Sequence, residues 1–316
     1  MRPQSFATKD AGGGPAAMAQ LCLDGPSPNC VRPMSTRTLL LTALAMLAFA
    51  GNSLLCRLAL RETAIDAASF TSVRLLAGAL TLWLLLYLRQ EKSSPANAGS
   101  WPAAAALFAY AAAFSFAYIQ LDAGAGALIL FGSVQLSMLA WGLFRGERLN
   151  IQGSSGLLLA FAGLLVLLLP GASTPPGGAA LLMILAGIAW AVYSLLGRGV
   201  KDPLAATAGN FLRAVPMALL LSALFLTQAS WDIPGLIYAL LSGALTSGVG
   251  YAIWYTALRG LQSFQAACVQ LSVPVIAALA GSLLLNESLT LRLLLSTAAV
   301  LGGIALVLSA QQRKGR

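Results

Sequence analysis

Residues 143–150 read LFRGERLN, and residues 284–290 read LLNESLT. The first stretch packs three charges into four positions after a long run nearly free of them, and the second is a paler copy 140 residues on. Aligned from the shared glutamate, ERLNIQGSSGLLLAFAGLLVLL (147–168) lies over ESLTLRLLLSTAAVLGGIALVL (287–308), matching Glu147 to Glu287, Leu149 to Leu289 and Gly163 to Gly303. At the same offset Phe114 falls on Trp254, and one residue less brings Arg74 onto Arg213. Leu and Ala matches carry little weight in so apolar a chain. Charged matches at a near-constant offset do, and they mark an internal repeat.

Composition says what surrounds that repeat. Of 316 residues 58% are apolar and 9% charged, with a mean hydropathy of +0.81. A soluble domain carries roughly 25% charged residues, so most of this chain must face lipid. The basic excess, 19 against 10, falls singly or in pairs in short loops, as orientation signals do. No basic face is clustered enough to follow a phosphate backbone, which excludes a nucleic-acid partner. Cys22, Cys30, Cys56 and Cys268 show no metal-ligand spacing, and histidine is absent. Neither metal nor cofactor is expected.

Apolar segments of about 20 residues are long enough to span a bilayer. Ten such segments are expected, near 38–57, 67–88, 101–121, 123–144, 151–169, 179–197, 203–227, 233–258, 264–285 and 290–310. Gly- and Pro-rich residues 1–36 read as a tail without fixed structure. Met34 opens an ordinary membrane-protein start, and the residues before it are expected to carry no function. Residues 37–170 then form a first five-helix repeat, 171–178 an external linker, 179–310 a second five-helix repeat, and 311–316 a cytoplasmic tail. With the N-terminus inside, Arg89, Lys92, Arg145, Arg148, Arg198, Lys201 and Arg259 fall on the inner side. Only Arg57, Arg61 and Arg292 fall outside, while Arg74 and Arg213 lie within helices. Both termini are therefore expected in the cytoplasm, the chain being multi-pass in a bacterial inner membrane. An odd number of helices per repeat forces the second repeat to insert upside down. The expectation is an all-α polytopic membrane protein of ten transmembrane helices in two inverted five-helix repeats. That architecture suits a carrier whose central site faces either side in turn.

The chain also resembles the EamA family of the drug/metabolite transporter superfamily, ten-helix bacterial carriers. The resemblance rests on the GERL turn after helix four, on glycine-rich helix five, and on YAIWYTALRGLQSFQAACVQLSVPVIAALAGSLLLNESLT (251–290), and it covers about residues 37–310. Asn286 stands where that family usually has glycine, and the first half has Val134 where the second has Pro274. The resemblance implies that helices one to four and six to nine surround a cavity, with five and ten outside it.

Candidate substrate-binding residues follow from polar and aromatic groups at membrane depth. Ser247, Tyr251, Trp254 and Tyr255 recur at one face of helix eight. Trp190, Tyr193 and Ser194 cluster on helix six, and Tyr110 and Phe114 lie on helix three. Asn52 interrupts helix one, while Gln135 and Gln270 are amides inside helices four and nine, where lipid supplies no hydrogen-bond partner. Arg74 lies about 10 Å deep at 1.5 Å per residue and suits either a solute carboxylate or a neighbouring helix. Glu147, Glu287, Arg213 and Pro274 read as structural or gating groups, the two glutamates at hairpin turns. With no carboxylate expected in the interior, the usual parts of a proton relay are missing, which suggests a facilitator or weak coupling.

An intramembrane enzyme would need a nucleophile and base, or acidic metal ligands, at helical depth, so none is expected. The leading reading is a secondary transporter for small polar or amphipathic metabolites, amino-acid-type solutes and export favoured. Nucleosides or bases, organic acids, and a non-transporting scaffold are the alternatives. The expected partners are a small-molecule substrate and the lipid bilayer, with the protein a monomer or homodimer.

Overall fold

A computed structural model describes residues 35–89, 98–146, 149–169, 174–198, 200–261 and 263–314. Glu147, residues 1–34 and the last two residues lie outside them. The described residues hold ten helices long and apolar enough to cross a membrane, and no strand. They are α1 (Thr36–Glu62), α2 (Ala67–Leu88), α3 (Trp101–Tyr118), α4 (Ala123–Phe144), α5 (Ile151–Leu168), α6 (Gly177–Leu196) and α7 (Pro203–Leu224). The eighth span, α8 (Ile233–Leu258), is α-helical at both ends and widens to a π-helix over Ser242–Val249. The ninth, α9, comes in two pieces, Ser263–Gln270 and Ser272–Leu285, before α10 (Leu291–Lys314). Proline explains that break. Pro274 has no N–H to offer the carbonyl of Gln270, and its ring crowds the turn just before it.

Short polar side chains start the helices at matching places in both halves. Asp66 and Asp202 accept backbone N–H bonds at the starts of α2 and α7. Ser100 and Asp232 do so for α3 and α8, each followed by a proline in the first turn. The quoted turns end the same way. Asn150 accepts from Gly153 N–H at 2.8 Å, and Thr290, its counterpart, from Leu293 N–H at 3.1 Å. Each satisfies a donor that the helix start would otherwise leave unpaired. Gly146 and Asn286, also counterparts, both adopt a left-handed backbone, φ 88° and 52°. Asn replaces Gly here because its side chain tolerates that region.

Packing repeats the relation between halves. The contact of α3 with α6 has its counterpart in that of α8 with α1, and α4 with α6 in α9 with α1. The self-paired contacts, α2 with α7, α4 with α9 and α5 with α10, lie where a two-fold axis would pass. At the last of these a side chain on Gly303 would strike the Gly156 carbonyl and the Ala160 backbone, so glycine sets the approach of α5 and α10. The outer surface stays apolar: Leu158, Phe161 and Leu165 on α5 and Leu294 and Leu295 on α10 are exposed. Lipid, not water, is the solvent that tolerates them.

Candidate functional site

Between the halves lies a cavity of about 890 Å³, within the range of sites that take small molecules. Its walls come from α1, α3, α4, α6, α7, α8 and α9. Helices α5 and α10 contribute nothing to it, as the family resemblance implies. Helix α2 departs from that implication. It packs behind α3, α7 and the π-helical part of α8 and does not reach the lining.

Asn52, Tyr110, Phe114, Gln135, Trp190, Tyr193, Tyr251, Trp254, Tyr255 and Gln270 all line this cavity. Aromatic rings form a continuous wall. Tyr110 meets Trp190 at 4.7 Å between centroids, and Trp190 stacks on Tyr251 at 5.5 Å and 17°. Phe49 closes the group against Tyr251 and Trp254. Hydroxyls run beside it: Tyr193 donates to Thr207 at 3.3 Å, and Thr207 donates to Tyr255 at 3.0 Å. Asn52 Oδ1 accepts from Ser242 at 2.7 Å and from Thr246 at 3.3 Å, tying α1 to the π-helical segment. π-helical turns of this sort recur at functional sites. Gln270 stands at the break in α9, its amide donating to Ala266 O at 3.3 Å.

Arg74 is brought close but stays one layer back. It is 2% exposed, with its guanidinium carbon 5.5 Å from the Tyr110 ring centroid and 5.0 Å from that of Phe114. Nη2 donates to Tyr110 Oη at 3.3 Å. Arg213, its counterpart in the repeat, instead donates to the carbonyls of Ala98 and Gly209 and holds the α2–α3 connection.

The cavity opens where its lining residues are exposed. Ser100, Gly197, Arg198, Val200 and Pro203, from the α2–α3 and α6–α7 connections, line its mouth. At the opposite membrane face, where α1 meets the α3–α4 and α9–α10 connections, lies a group that sequence reasoning missed. Arg57 lies one turn beyond Ser53, inside α1 rather than in an external loop, and is 5% exposed. Its Nε donates to Glu287 Oε1 at 3.1 Å and its Nη2 to Asp122 Oδ1 at 3.1 Å. Its Nη1 donates to the Tyr118 and Ile119 carbonyls, each at 3.1 Å. Glu287 Oε2 accepts the Ala123 N–H at 2.8 Å. One arginine thus binds α1, the α3–α4 connection and the α9–α10 connection together. Glu287, 9% exposed, corrects the expectation of no buried carboxylate. Burial and the nearby Asp122 charge push its carboxyl up, the Ala123 N–H and Arg57 pull it down, and the balance lies above the ordinary 4.5. The signal was available: Arg57 follows Asn52 and Ser53 by a single helical turn, on a segment that continues helical through Glu62.

Similar proteins bear on this arrangement. The model of the EamA-like transporter family matches residues 177–309, the second repeat. An uncharacterised protein of Pseudomonas aeruginosa is 65% identical over 273 residues, 86% of this chain and 95% of its own. The chain belongs to the EamA-like transporter family. An uncharacterised transporter of Archaeoglobus fulgidus is 27% identical over 270 residues, covering 80% of this chain and 91% of that one. A crystal structure of a protein 20% identical in sequence superposes with a TM-score of 0.64 over 89% of this chain and 98% of its own, and so shares the fold. This family member is a multi-pass membrane transporter, with the bilayer as its solvent and a small molecule as its cargo.

Proposed function

We propose that the chain is a secondary carrier of small polar or amphipathic metabolites, amino-acid-type solutes foremost, exporting them across the bacterial inner membrane by alternating access. The observation that supports this reading is a cavity lined by helices of both repeats, with exposed residues at one end and the buried Arg57 cluster at the opposite membrane face. The mouth lies on the side of the α2–α3 and α6–α7 connections, which the basic residues Arg89, Arg198 and Lys201 favour as cytoplasmic. A cavity open there takes its solute from the cytoplasm. Rocking one half against the other would separate Arg57 from Glu287 and close the mouth.

Chemistry of the wall supports the solute class. Tyr, Trp and amide groups give an amphipathic surface, suited to a zwitterion with an apolar body. The lining named above carries one charged side chain, Arg198 at the mouth, whereas a phosphorylated sugar calls for several convergent cations. The same lining offers binding groups rather than a nucleophile with its base, which supports transport over catalysis, with the solute leaving unchanged.

Counterflow in proteoliposomes tests the carrier reading. Vesicles loaded with an unlabelled solute should accumulate its labelled form transiently when they contain the protein. Vesicles that show no exchange with any of a broad panel of amino acids, bases and organic acids would overturn it.

A further inference from the structure

We infer that Arg74 is the docking group for the carboxylate of the transported solute, reached from the cavity when Tyr110 swings aside. This rests on the carrier reading above and narrows its substrate class to solutes bearing a free carboxylate. A guanidinium buried to 2% exposure inside a membrane protein is costly unless its charge and its N–H groups are met. Here neither is. The hydrogen bond from Nη2 to Tyr110 is a long one at 3.3 Å, and Nε and Nη1 meet no acceptor among the described residues.

The fold is able to satisfy a buried arginine, because it does so at Arg57. Glu287 and Asp122 are both engaged there. Nor is the position in the repeat the cause, since Arg213 spends its donors on backbone carbonyls. What remains is a cation under two rings that face the cavity, 5.0 and 5.5 Å away. Aromatic faces hold a guanidinium weakly and give way to an anion that accepts its hydrogen bonds. A carboxylate is planar, carries one negative charge and only accepts. A phosphate's second charge would call for a second free cation, and the other buried arginine, Arg57, is already engaged by Glu287 and Asp122.

Matched acids and amides test the assignment: leucine with leucinamide, phenylalanine with phenylalaninamide, nicotinate with nicotinamide. Thermal shift of the purified full chain gives the half-saturating concentration of each. At least one acid should bind about tenfold or more tightly than its amide, as a charge-assisted hydrogen bond provides. Arg74→Gln should erase that preference while keeping its elution volume and unliganded melting, and Arg74→Lys should retain part of it. A panel in which no acid surpasses its amide overturns the assignment, as does an Arg74→Gln protein that keeps the preference. Amides that exchange in counterflow as fast as acids would remove the Arg74 site and leave the carrier standing. Acids that bind but never exchange would do the reverse.

Discussion

Arg57 Nε reaches Glu287 Oε1 at 3.1 Å across 230 residues of sequence, joining helix one to the turn before helix ten. The same side chain takes Asp122 and two carbonyls of the α3–α4 corner. Together with the Ala123 N–H bond to Glu287, this residue ties α1, the α3–α4 corner and the α9–α10 turn. Each of its three nitrogens has a partner, so its charge is compensated only while those partners stay.

Single and double substitutions should therefore not add. Removing one partner of a buried pair leaves the other uncompensated, at about 3–5 kcal/mol, whereas replacing both with apolar residues is often close to neutral. Arg57→Met and Glu287→Leu should each lower the melting temperature in detergent, and the double variant should melt nearer to wild type than either. Additive losses in a double-mutant cycle would show that the pair is not the unit that seals this end.

Acidity should act through Glu287 with a definite sign. Its carboxyl lies above the ordinary 4.5, so folding takes up a proton between 4.5 and that raised value. Within this window the wild type should lose stability as pH rises and gain it as pH falls, with no further change below 4.5 from this group. Measured as the melting difference between wild type and Glu287→Gln, the dependence should be confined to that window. A difference that grew on raising the pH would contradict the placement of the carboxyl.

Asp66 should behave oppositely. Burial pushes its carboxyl up, but bonds from the Ser69 hydroxyl and N–H, and from the Ser230 and Ala68 N–H groups, outweigh it and hold it below 3.8. Its stabilisation is present above 3.8 and is lost as pH falls through the lower folded value. Asp66 caps α2 and also receives the Ser230 N–H at 3.0 Å from the α7–α8 connection. Asp66→Ala should cost more than a lone cap, which is worth about 1 kcal/mol. Calorimetry on Asp66→Ala and Asp66→Asn checks it, the Asn variant retaining most of the cap.

Much of this was legible beforehand, and the reasons differ by residue. The repeat offset of 140 placed Gly146 against Asn286 and Asn150 against Thr290, and each pair does one job, a left-handed turn and a helix cap. Local chemistry dictates those jobs, so local sequence reveals them. Tyr251, Trp254 and Tyr255 were likewise visible from helical spacing. Arg74 and Glu287 were not, because their settings depend on which helix stands behind which. Helix α2 is as apolar as its neighbours, and nothing in its periodicity says that it lies behind the lining. Arg57 was read into a loop because a span of minimum length ends there, while the helix runs on to Glu62.

The pair at the closed end and the open mouth should trade access. With the native cysteines replaced, Ser194→Cys places a thiol on the cavity wall, where Ser194 is half-buried. A membrane-impermeant maleimide should label it readily from the mouth side, in inside-out vesicles if that side is cytoplasmic. From the other side Arg57 and its partners should bar the way. Adding Glu287→Gln withdraws one charge from the seal, and each 1.4 kcal/mol lost there shifts the balance of open and closed ends about tenfold. Labelling from the far side should therefore rise by about tenfold or more while that from the mouth side falls. If both rates stayed as they were, the seal would lie elsewhere, and Arg57 would serve only to hold three segments of the fold together.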